Sequence, residues 1–267
     1  MSDGSSLRRP EAARRDKRLG VEFLISASVV LLLLALWLVL TGLGLVRPLF
    51  LPGPQQLFEA WGRLSPTIAQ DIFDSLVLRI LPGFLIGSTV GVTVGIAMAM
   101  NRKAWAALNP IIESVRPLPP LALIPLLILW LGIGIGSQLL LVAFGAFIIM
   151  VVTSFEAVRN VSPIYLQAAS VLGARSRQVF RRIILPAVVP DMFGGIRIAL
   201  AASFGYNVAA ELIGAQSGLG YRLVLARRYL LTENIVVILV VIAILALAAD
   251  QSVQWLNRRF TTWKART

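Results

Sequence analysis

The chain has 267 residues, of which 57 % are hydrophobic and 14 % are charged, and its formal net charge is +12. Ordinary soluble domains carry about 25 % charged residues, and the apolar residues here stand in long uncharged blocks, which is typical of membrane-spanning helices. The chain has no cysteine and no histidine, so disulfide frameworks, thiolate metal sites and Ser-His or Cys-His nucleophile pairs are excluded. A basic chain is also typical of nucleic-acid binding, but the positions of the basic residues favour a membrane protein with no nucleic-acid partner.

The first uncharged block runs from Phe23 to Val46 and exceeds the roughly 20 residues that cross the hydrocarbon core of a bilayer. We therefore place the first span at 21–46. The block is too long for a cleavable signal peptide and leads to no small-residue cleavage site, so we expect it to stay in the mature protein. Clustered arginines before it predict a disordered cytoplasmic tail over 1–20 that is attracted to anionic membrane lipid.

The second span, at 75–101, follows a connector rich in proline. This connector predicts a short amphipathic helix at the membrane interface, with Leu57, Trp61 and Leu64 on one side. Within the span, glycines recur at four-residue intervals, so another helix can approach this face closely. The stripe predicts a helix-packing face and consists of Gly83, Gly87, Gly91 and Gly95.

The uncharged block from Pro117 to Phe155 is too long for one helix crossing. Glycines between 132 and 136 predict a tight turn within it. We therefore place the third and fourth spans at 117–134 and 137–156. Arg116 begins the third span beside three prolines, which discourage a regular helix, and we interpret this arginine as a structural anchor.

The fifth and sixth spans are placed at 190–213 and 234–256, which gives six crossings and puts both termini on one side of the membrane. Most of the basic residues lie on that side, and Lys and Arg are enriched in cytoplasmic loops. The asymmetry predicts a multi-pass protein with cytoplasmic termini and a basic cytoplasmic tail over 258–267. The basic residues on this side are Arg8, Arg9, Arg14, Arg15, Lys17, Arg18, Arg102, Lys103, Arg159, Arg175, Arg177, Arg181, Arg182, Arg258, Arg259, Lys264 and Arg266.

The largest predicted cytoplasmic loop, 156–190, has a pattern of short helical pieces around Gly173, a residue that suits a hinge. Apolar residues on either side of this glycine recur at helical spacing. The loop therefore predicts two amphipathic helices that meet at an angle. The first apolar face contains Tyr165, Leu166, Ala169 and Leu172, and the second contains Val179, Phe180, Ile183 and Ile184.

Parts of this loop resemble the EAA loop of binding-protein-dependent ABC importer permeases. They are Gln167-Ala168-Ala169, Gly173 and Ile183-Ile184-Leu185-Pro186. Gln167 stands where the family has Glu, which removes a salt bridge from that position but keeps the helix-hinge-helix geometry. Other segments, within roughly residues 50 to 260, resemble the nitrate, taurine and aliphatic sulfonate branch. These are Arg116-Pro117-Leu118-Pro119-Pro120, Pro125-Leu126, Trp130-Leu131-Gly132-Ile133-Gly134, Ala209-Ala210-Glu211-Leu212-Ile213 and Gly218-Leu219-Gly220.

The resemblance implies an all-α integral membrane protein of the bacterial inner membrane, with about six transmembrane helices in the type I ABC importer permease fold and a permease domain at 21–257. It also implies partners: a second copy of the permease, two cytoplasmic ATP-binding cassette subunits and an extracytoplasmic solute-binding protein. The ATPase-coupling loop would then use Tyr165, Leu166, Gln167, Ala168, Ala169, Leu172, Gly173, Ala174, Arg175, Arg177, Leu185 and Pro186.

The sequence contains no G-x-x-x-x-G-K-[ST] motif, the glycine-rich loop that cradles the phosphates of ATP. We therefore expect a transport subunit that is not an enzyme and has no catalytic residues, cofactor or metal of its own. ATP and magnesium would be bound by the partner ATPase.

Polar residues in the predicted fifth span mark a candidate translocation path, because ionisable groups at membrane depth usually serve function. Glu211 is predicted to face a cavity or to pair with another helix rather than to contact substrate, the alternative being a carboxylate that reaches the interface. Arg197 is predicted to meet an anionic substrate, to pair with a carboxylate or carbonyl, or to extend toward the cytoplasm. The candidate path residues are Arg197, Ser203, Tyr206, Asn207 and Glu211.

The branch resemblance favours a small anionic solute of the taurine or alkanesulfonate type. Nitrate, bicarbonate, an aromatic acid and a pyrimidine precursor stay open, as does the choice between a homodimer and a heterodimer of permeases. A secondary transporter is less favoured, because the sequence has no internal repeat and few carboxylates within the spans. An intramembrane enzyme without His or Cys would need chemistry such as a Ser-Lys pair. It is disfavoured because Lys17, Lys103 and Lys264 lie outside the spans.

Overall fold

The protein is described by a computed structural model that covers residues 9–260, with side chains for 24–212 and 214–259. Every regular element in this range is a helix. In chain order the α-helices are α1 (Arg9–Gly42), α2 (Pro54–Ser75), α3 (Leu81–Met100), α4 (Arg102–Val115), α5 (Ile124–Leu131), α6 (Ile135–Arg159), α7 (Pro163–Val171), α8 (Ser176–Val179), α9 (Leu185–Gly214), α10 (Leu219–Arg228) and α11 (Thr232–Phe260).

Two of the long apolar segments consist of helices that are joined through a π-helical turn, which adds a residue without breaking the helix. The turn Leu76–Ile80 joins α2 to α3 within the segment Pro54–Met100. The predicted interfacial connector is therefore continuous with the second span. The turn Phe180–Ile184 likewise joins α8 to α9 within the segment Ser176–Leu212.

The described residues contain five helices that are long and apolar enough to cross a membrane. Besides the two joined segments, they are Leu24–Gly42, Ile135–Arg159 and Thr232–Arg259. The number of crossings reaches six when a bent pair of shorter helices is counted as one span.

This bent pair differs from the predicted third span. Instead of one helix over 117–134, α4 and the segment Pro120–Leu131 meet at a bend of 87°. Three prolines at 117, 119 and 120 stand at the bend, and proline both removes a backbone donor and clashes with the preceding turn. The 8 residues of α5 extend about 12 Å, which is too short to cross a bilayer alone.

The ends of other predicted segments also differ from the structure. α1 begins at Arg9, so the backbone is helical over part of the predicted disordered tail, while residues 1–8 lie outside the described range. α9 begins at Leu185, earlier than the predicted start at 190, because the helix accommodates Pro190 in its interior. α11 continues to Phe260, into the predicted tail over 258–267.

The core lies between α3, α6, α9 and α11. Phe84, Met150, Leu200 and Val253 belong to its largest buried cluster, one from each of these helices. The apolar stretch of α1 stays outside this core, since none of its window within Leu24–Gly42 is buried. Its large apolar side chains therefore face lipid or another chain.

The glycine stripe of α3 packs against α6, which confirms the predicted packing face. A Cβ atom at Gly83 would lie 2.8 Å from the Val142 Cβ, and one at Gly91 would lie 2.7 Å from the Phe147 carbonyl oxygen. A Cβ at Gly87 would overlap the Ala143 carbonyl oxygen. The two helix backbones are thus in direct contact, as small residues allow in membrane proteins.

We expect Gly87→Ala to destabilise the protein, because its Cβ overlaps backbone that cannot rotate away. Overpacking of this kind costs about 1–3 kcal/mol, which thermal unfolding in detergent would detect as a lower Tm. Gly62→Ala in α2 is the matched control, since nothing lies within 4 Å of that Cβ position. Equal Tm values for the two variants would contradict this close packing.

Candidate functional site

The loop between α6 and α9 turns at Gly173. α7 ends in a Schellman motif, in which Ala174 N donates to the Ala169 carbonyl and Gly173 N donates to the Ser170 carbonyl, both at 3.0 Å. Gly173 has a φ of +69°, a left-handed conformation that costs residues with a Cβ about 1 kcal/mol or more. The hinge therefore lies at the predicted glycine.

After this hinge the chain enters a helix that continues into the membrane. Gln178 Oε1 accepts a hydrogen bond from Arg175 N at 2.8 Å and so caps the first turn of α8. Leu185 and Pro186 form the start of α9, which follows α8 without a break in the helix. The loop is thus mechanically attached to the whole length of α9.

The loop exposes large apolar side chains on α7 and at its end. Val171 is 85 % exposed, Leu172 83 % and Tyr165 61 %, and we call these three residues the loop tip. Clustered exposed apolar side chains mark interaction surfaces. The predicted apolar face is split, because Ala169 is buried in the chain while Tyr165 and Leu172 face outward. Of the other predicted coupling residues, Leu166, Gln167, Ala168, Gly173, Arg175, Arg177 and Leu185 are exposed, and Ala174 and Pro186 are half-buried.

A carboxylate near the far end of α9 is surrounded by hydrogen-bond donors. Glu211 is 1 % exposed. Its Oε1 accepts from Ser75 Oγ at 2.7 Å, Asn207 Nδ2 at 2.7 Å and Arg79 Nη1 at 3.2 Å, and its Oε2 accepts from Gly220 N at 2.6 Å. A buried carboxylate is tolerated when it is paired and hydrogen-bonded in this way. Glu211 therefore joins helices, which is one of its two predicted uses.

The partner of this carboxylate, Arg79, is itself buried and makes further bonds. Its Nε donates to Gln138 Oε1 at 2.6 Å and its Nη2 donates to Ser217 Oγ at 3.3 Å. The sequence prediction missed Arg79, because the uncharged block of the second span begins one residue after it. A signal was nevertheless present: Asp71, Ser75 and Arg79 recur at four-residue intervals and so share one helix face.

A second ion pair lies beside the first. Arg222 Nε donates to Asp71 Oδ2 at 2.7 Å, and Gly218 N donates to Asp71 Oδ1 at 3.2 Å. Gly218 has a φ of +109°, and a Cβ there would lie 2.7 Å from the Glu211 carboxylate. The segment between α9 and α10 therefore fits against Glu211 only with glycine at this position.

Three more predicted path residues are engaged within the chain. Ser203 and Asn207 are both 0 % exposed, and Ser203 Oγ donates to the Ala199 carbonyl at 2.7 Å. Arg197 forms a two-pronged ion pair with Asp250, with Nε–Oδ1 at 2.5 Å and Nη2–Oδ2 at 2.9 Å. This pair joins α9 to α11, so Arg197 binds a carboxylate, which is one of its three predicted uses.

Tyr206, in contrast, lines an open space. Its ring packs on Gly145, where an added Cβ would overlap the ring. The cavity beside this ring has a volume of about 320 Å³ and is also lined by Arg116 and Thr153. A separate cavity of about 280 Å³ is lined by Arg79 and by its hydrogen-bond partners Gln138 and Ser217. Among the described residues no group of three or more acidic side chains is arranged to hold a metal ion.

The family model of binding-protein-dependent transport system inner membrane components matches residues 87–262. The chain belongs to this family. The permease is 36 % identical over 246 residues to the taurine transport system permease protein of Escherichia coli (strain K12), with 90 % of this chain and 89 % of the relative covered. It is 32 % identical over 235 residues to the putative aliphatic sulfonates transport permease protein of Bacillus subtilis (strain 168), with 87 % and 84 % covered.

The fold of the permease also matches a solved transporter. The inward-facing MetNI methionine ABC transporter superimposes with a TM-score of 0.64 at 20 % identity, over 74 % of this chain and 98 % of that chain. The predicted all-α, type I importer permease fold is thereby confirmed. The chain is the non-catalytic, inner-membrane, multi-pass permease of a binding-protein-dependent ABC importer, which works with an ATPase and a binding protein.

We expect Glu211→Gln to destabilise the permease, because it leaves the Arg79 charge buried without its counter-charge. Loss of one partner of a buried pair costs about 3–5 kcal/mol, and denaturation of the purified permease would measure it. Glu233→Gln is the control. Glu233 pairs with Arg63, whose side chain is 52 % exposed, and exposed ion pairs contribute about 1 kcal/mol or less. A Glu211→Gln variant as stable as Glu233→Gln would refute a structural role for the pair.

Proposed function

We propose that this permease forms the translocation path for a small sulfonate of the taurine or alkanesulfonate type, delivered by an extracytoplasmic binding protein. The support for the substrate class is the similarity to two permeases whose names specify taurine and aliphatic sulfonates, with more than four fifths of each chain aligned. Two copies of the permease enclose the path, and two ATPase subunits bind ATP and magnesium on the cytoplasmic side.

The observation that carries the coupling proposal is the exposed loop tip. Val171 and Leu172 are among the most exposed large apolar side chains described, at 85 % and 83 %. The loop that presents them belongs to the side on which basic residues predominate, which by the positive-inside rule is the cytoplasm. An apolar surface in water is stabilised when a partner covers it, and the ATPase is the cytoplasmic partner of an importer of this kind.

The loop tip has a defined orientation because of its local geometry. The Schellman motif fixes Leu172 and Gly173 at the end of α7, and the capped first turn of α8 follows at once. From Ser176 onward the helix extends to Leu212, a distance of about 55 Å at 1.5 Å per residue. Movement of the ATPase at the loop tip is thus transmitted to the membrane interior and to Glu211 with its hydrogen-bond partners.

A second copy accounts for the exposed apolar surface of α1. Within Leu24–Gly42 no part of the apolar window is buried by the rest of the chain. Helices that contact only lipid gain little from burial, whereas packing on another helix adds van der Waals contact. We propose that α1 and the bent pair α4–α5 lie near the second permease copy, with both chain termini in the cytoplasm.

The coupling proposal predicts that Leu172→Asp weakens assembly with the ATPase, because a charge replaces an apolar contact at the interface. We expect about a tenfold or greater loss of ATPase co-purified with the permease. Tyr229→Asp is the control, since Tyr229 is 67 % exposed and the predicted topology places it on the opposite side of the membrane. If both variants retain the ATPase equally, the loop tip is not the docking surface.

The substrate proposal is tested with the permease, its ATPase and its binding protein in proteoliposomes. We expect ATP-dependent uptake of radiolabelled taurine that excess ethanesulfonate inhibits, because the shared sulfonate group determines recognition. Nitrate, bicarbonate and benzoate at the same excess serve as controls. If one of these anions inhibits uptake and ethanesulfonate does not, the proposed substrate class is wrong and the inhibiting class of anion takes its place.

A further inference from the structure

An arginine without a partner lines the cavity beside Tyr206. This space, which we call the Arg116 cavity, lies between the bend that follows α4 and the helices α6 and α9. Its volume is about 320 Å³, and its lining includes Arg116, Pro120, Gly145, Thr153 and Tyr206. It is large enough for a small organic anion.

Arg116 is exposed in the isolated chain, but the part of α6 that lines the Arg116 cavity lies at membrane depth. It follows α6 from Gly145 to Thr153, about 12 Å of helix at 1.5 Å per residue. α6 ends at Arg159, an end that the positive-inside rule assigns to the cytoplasm, and Thr153 lies about 9 Å and Gly145 about 21 Å from that end. The hydrocarbon core is about 30 Å thick, so with Arg159 at its cytoplasmic edge the α6 lining of the cavity extends from the cytoplasmic third to beyond the middle.

Other arginines of the membrane region have carboxylate partners. Arg79 binds Glu211, Arg197 binds Asp250, and Arg222 binds Asp71. Among the residues whose side chains are described, no carboxylate or carbonyl oxygen bonds the Arg116 guanidinium. A cation at membrane depth is costly and is retained where it pairs or serves a pathway. Arg116 therefore has its positive charge available within the cavity, which differs from the structural anchor that the sequence predicted.

The other polar groups of the cavity complement this charge. The Tyr206 hydroxyl has no hydrogen-bond partner among the described residues, so it is free to donate. Thr153 Oγ1 donates to the Ile149 carbonyl at 2.8 Å. A guanidinium and a phenol are both donors, and an acceptor-only anion with several oxygens suits them, because Arg binds such groups through two parallel N–H bonds.

We propose that the Arg116 cavity is an anion-binding subsite of the translocation path, where the Arg116 guanidinium and the Tyr206 hydroxyl bind the sulfonate group of the solute. The proposal rests on the proposed function, since it takes the solute to be a sulfonate. The site has donors from only two side chains, which suits a path that must release its solute. A lipid phosphate has the same chemistry, and the experiment distinguishes the two sources.

The first experiment measures taurine uptake by proteoliposomes that contain the permease, its ATPase and its binding protein. Arg116→Gln should lower the initial rate about tenfold or more, as for the loss of a charge-assisted hydrogen bond, while Arg116→Lys should restore part of it. Arg102→Gln, at the exposed start of α4, is the matched control and should leave uptake unchanged. All variants should keep the Tm and the bound ATPase of the parent. Uptake by Arg116→Gln within twofold of the parent would overturn the subsite.

The second experiment tests the cavity without transport. Because the chain has no cysteine, Thr153→Cys introduces a single thiol into the cavity. Its reaction rate is measured with the anionic reagent 2-sulfonatoethyl methanethiosulfonate and with the cationic trimethylammonium reagent. The ratio of the anionic to the cationic rate should be higher for Thr153→Cys than for Tyr229→Cys at the surface. Adding Arg116→Gln should remove this anion preference. A preference that survives Arg116→Gln, or is absent from the start, would overturn the proposal.

Lipid composition distinguishes the two anion sources. If Arg116 is open to solute, the anion preference of Thr153→Cys is the same in phospholipid nanodiscs and in lipid-free detergent. A preference present in detergent and lost in nanodiscs would assign a lipid phosphate to Arg116 and overturn the solute subsite. Failure of the parent permease to import any sulfonate would instead refute the proposed function, while the thiol result would still decide whether the cavity binds anions.

Discussion

The buried ion pair between Arg79 and Glu211 is the interaction on which the arrangement of helices depends. A bilayer interior supplies no water to hydrogen-bond a charge, so each charged group must find its partners within the protein. Ser75 and Asn207 complete the shell around the carboxylate, and Gln138 binds the guanidinium. The pair therefore joins the Pro54–Met100 segment, α6 and α9, and the backbone of α10 closes it from outside. The helices have one relative position in which all these bonds form.

This constraint links the loop around Gly173 to the membrane interior. The helix that begins at Ser176, just after the Gly173 hinge, reaches Leu212, one residue beyond Glu211. Tyr206 lies between these two ends and lines the Arg116 cavity. A rigid helix that is attached at one end to the loop tip and at the other to a buried ion pair moves as a unit, and its cavity-lining face moves with it. In the proposed function, docking, opening of the path and release of solute all act through this one helix.

The sequence predicts those features that repeat or that need a particular residue. The glycine stripe around Gly87 and the hinge at Gly173 are both found, because close helix contact and a left-handed turn select for glycine. The polar helix face that contains Arg79 was visible in the sequence, but its pairing with Glu211 was missed, because the two residues lie far apart along the chain and local spacing does not reveal their contact. The bend after α4 was missed because hydropathy shows that a segment is apolar but not whether its helix turns. The prolines at the bend were visible in the sequence. Burial of Asn207 likewise results from packing that sequence periodicity does not determine.

Contact between the loop tip and the ATPase is tested most directly by thiol protection. With no native cysteine in the chain, Leu172→Cys introduces one thiol at the loop tip, and its labelling by a fluorescent maleimide is measured for the permease alone and in the complex with the ATPase. We expect rapid labelling of the isolated permease and at least a tenfold slower reaction in the complex, with Tyr229→Cys labelled equally in both. Equal labelling of Leu172→Cys in the isolated permease and the assembled complex would contradict docking at the loop tip.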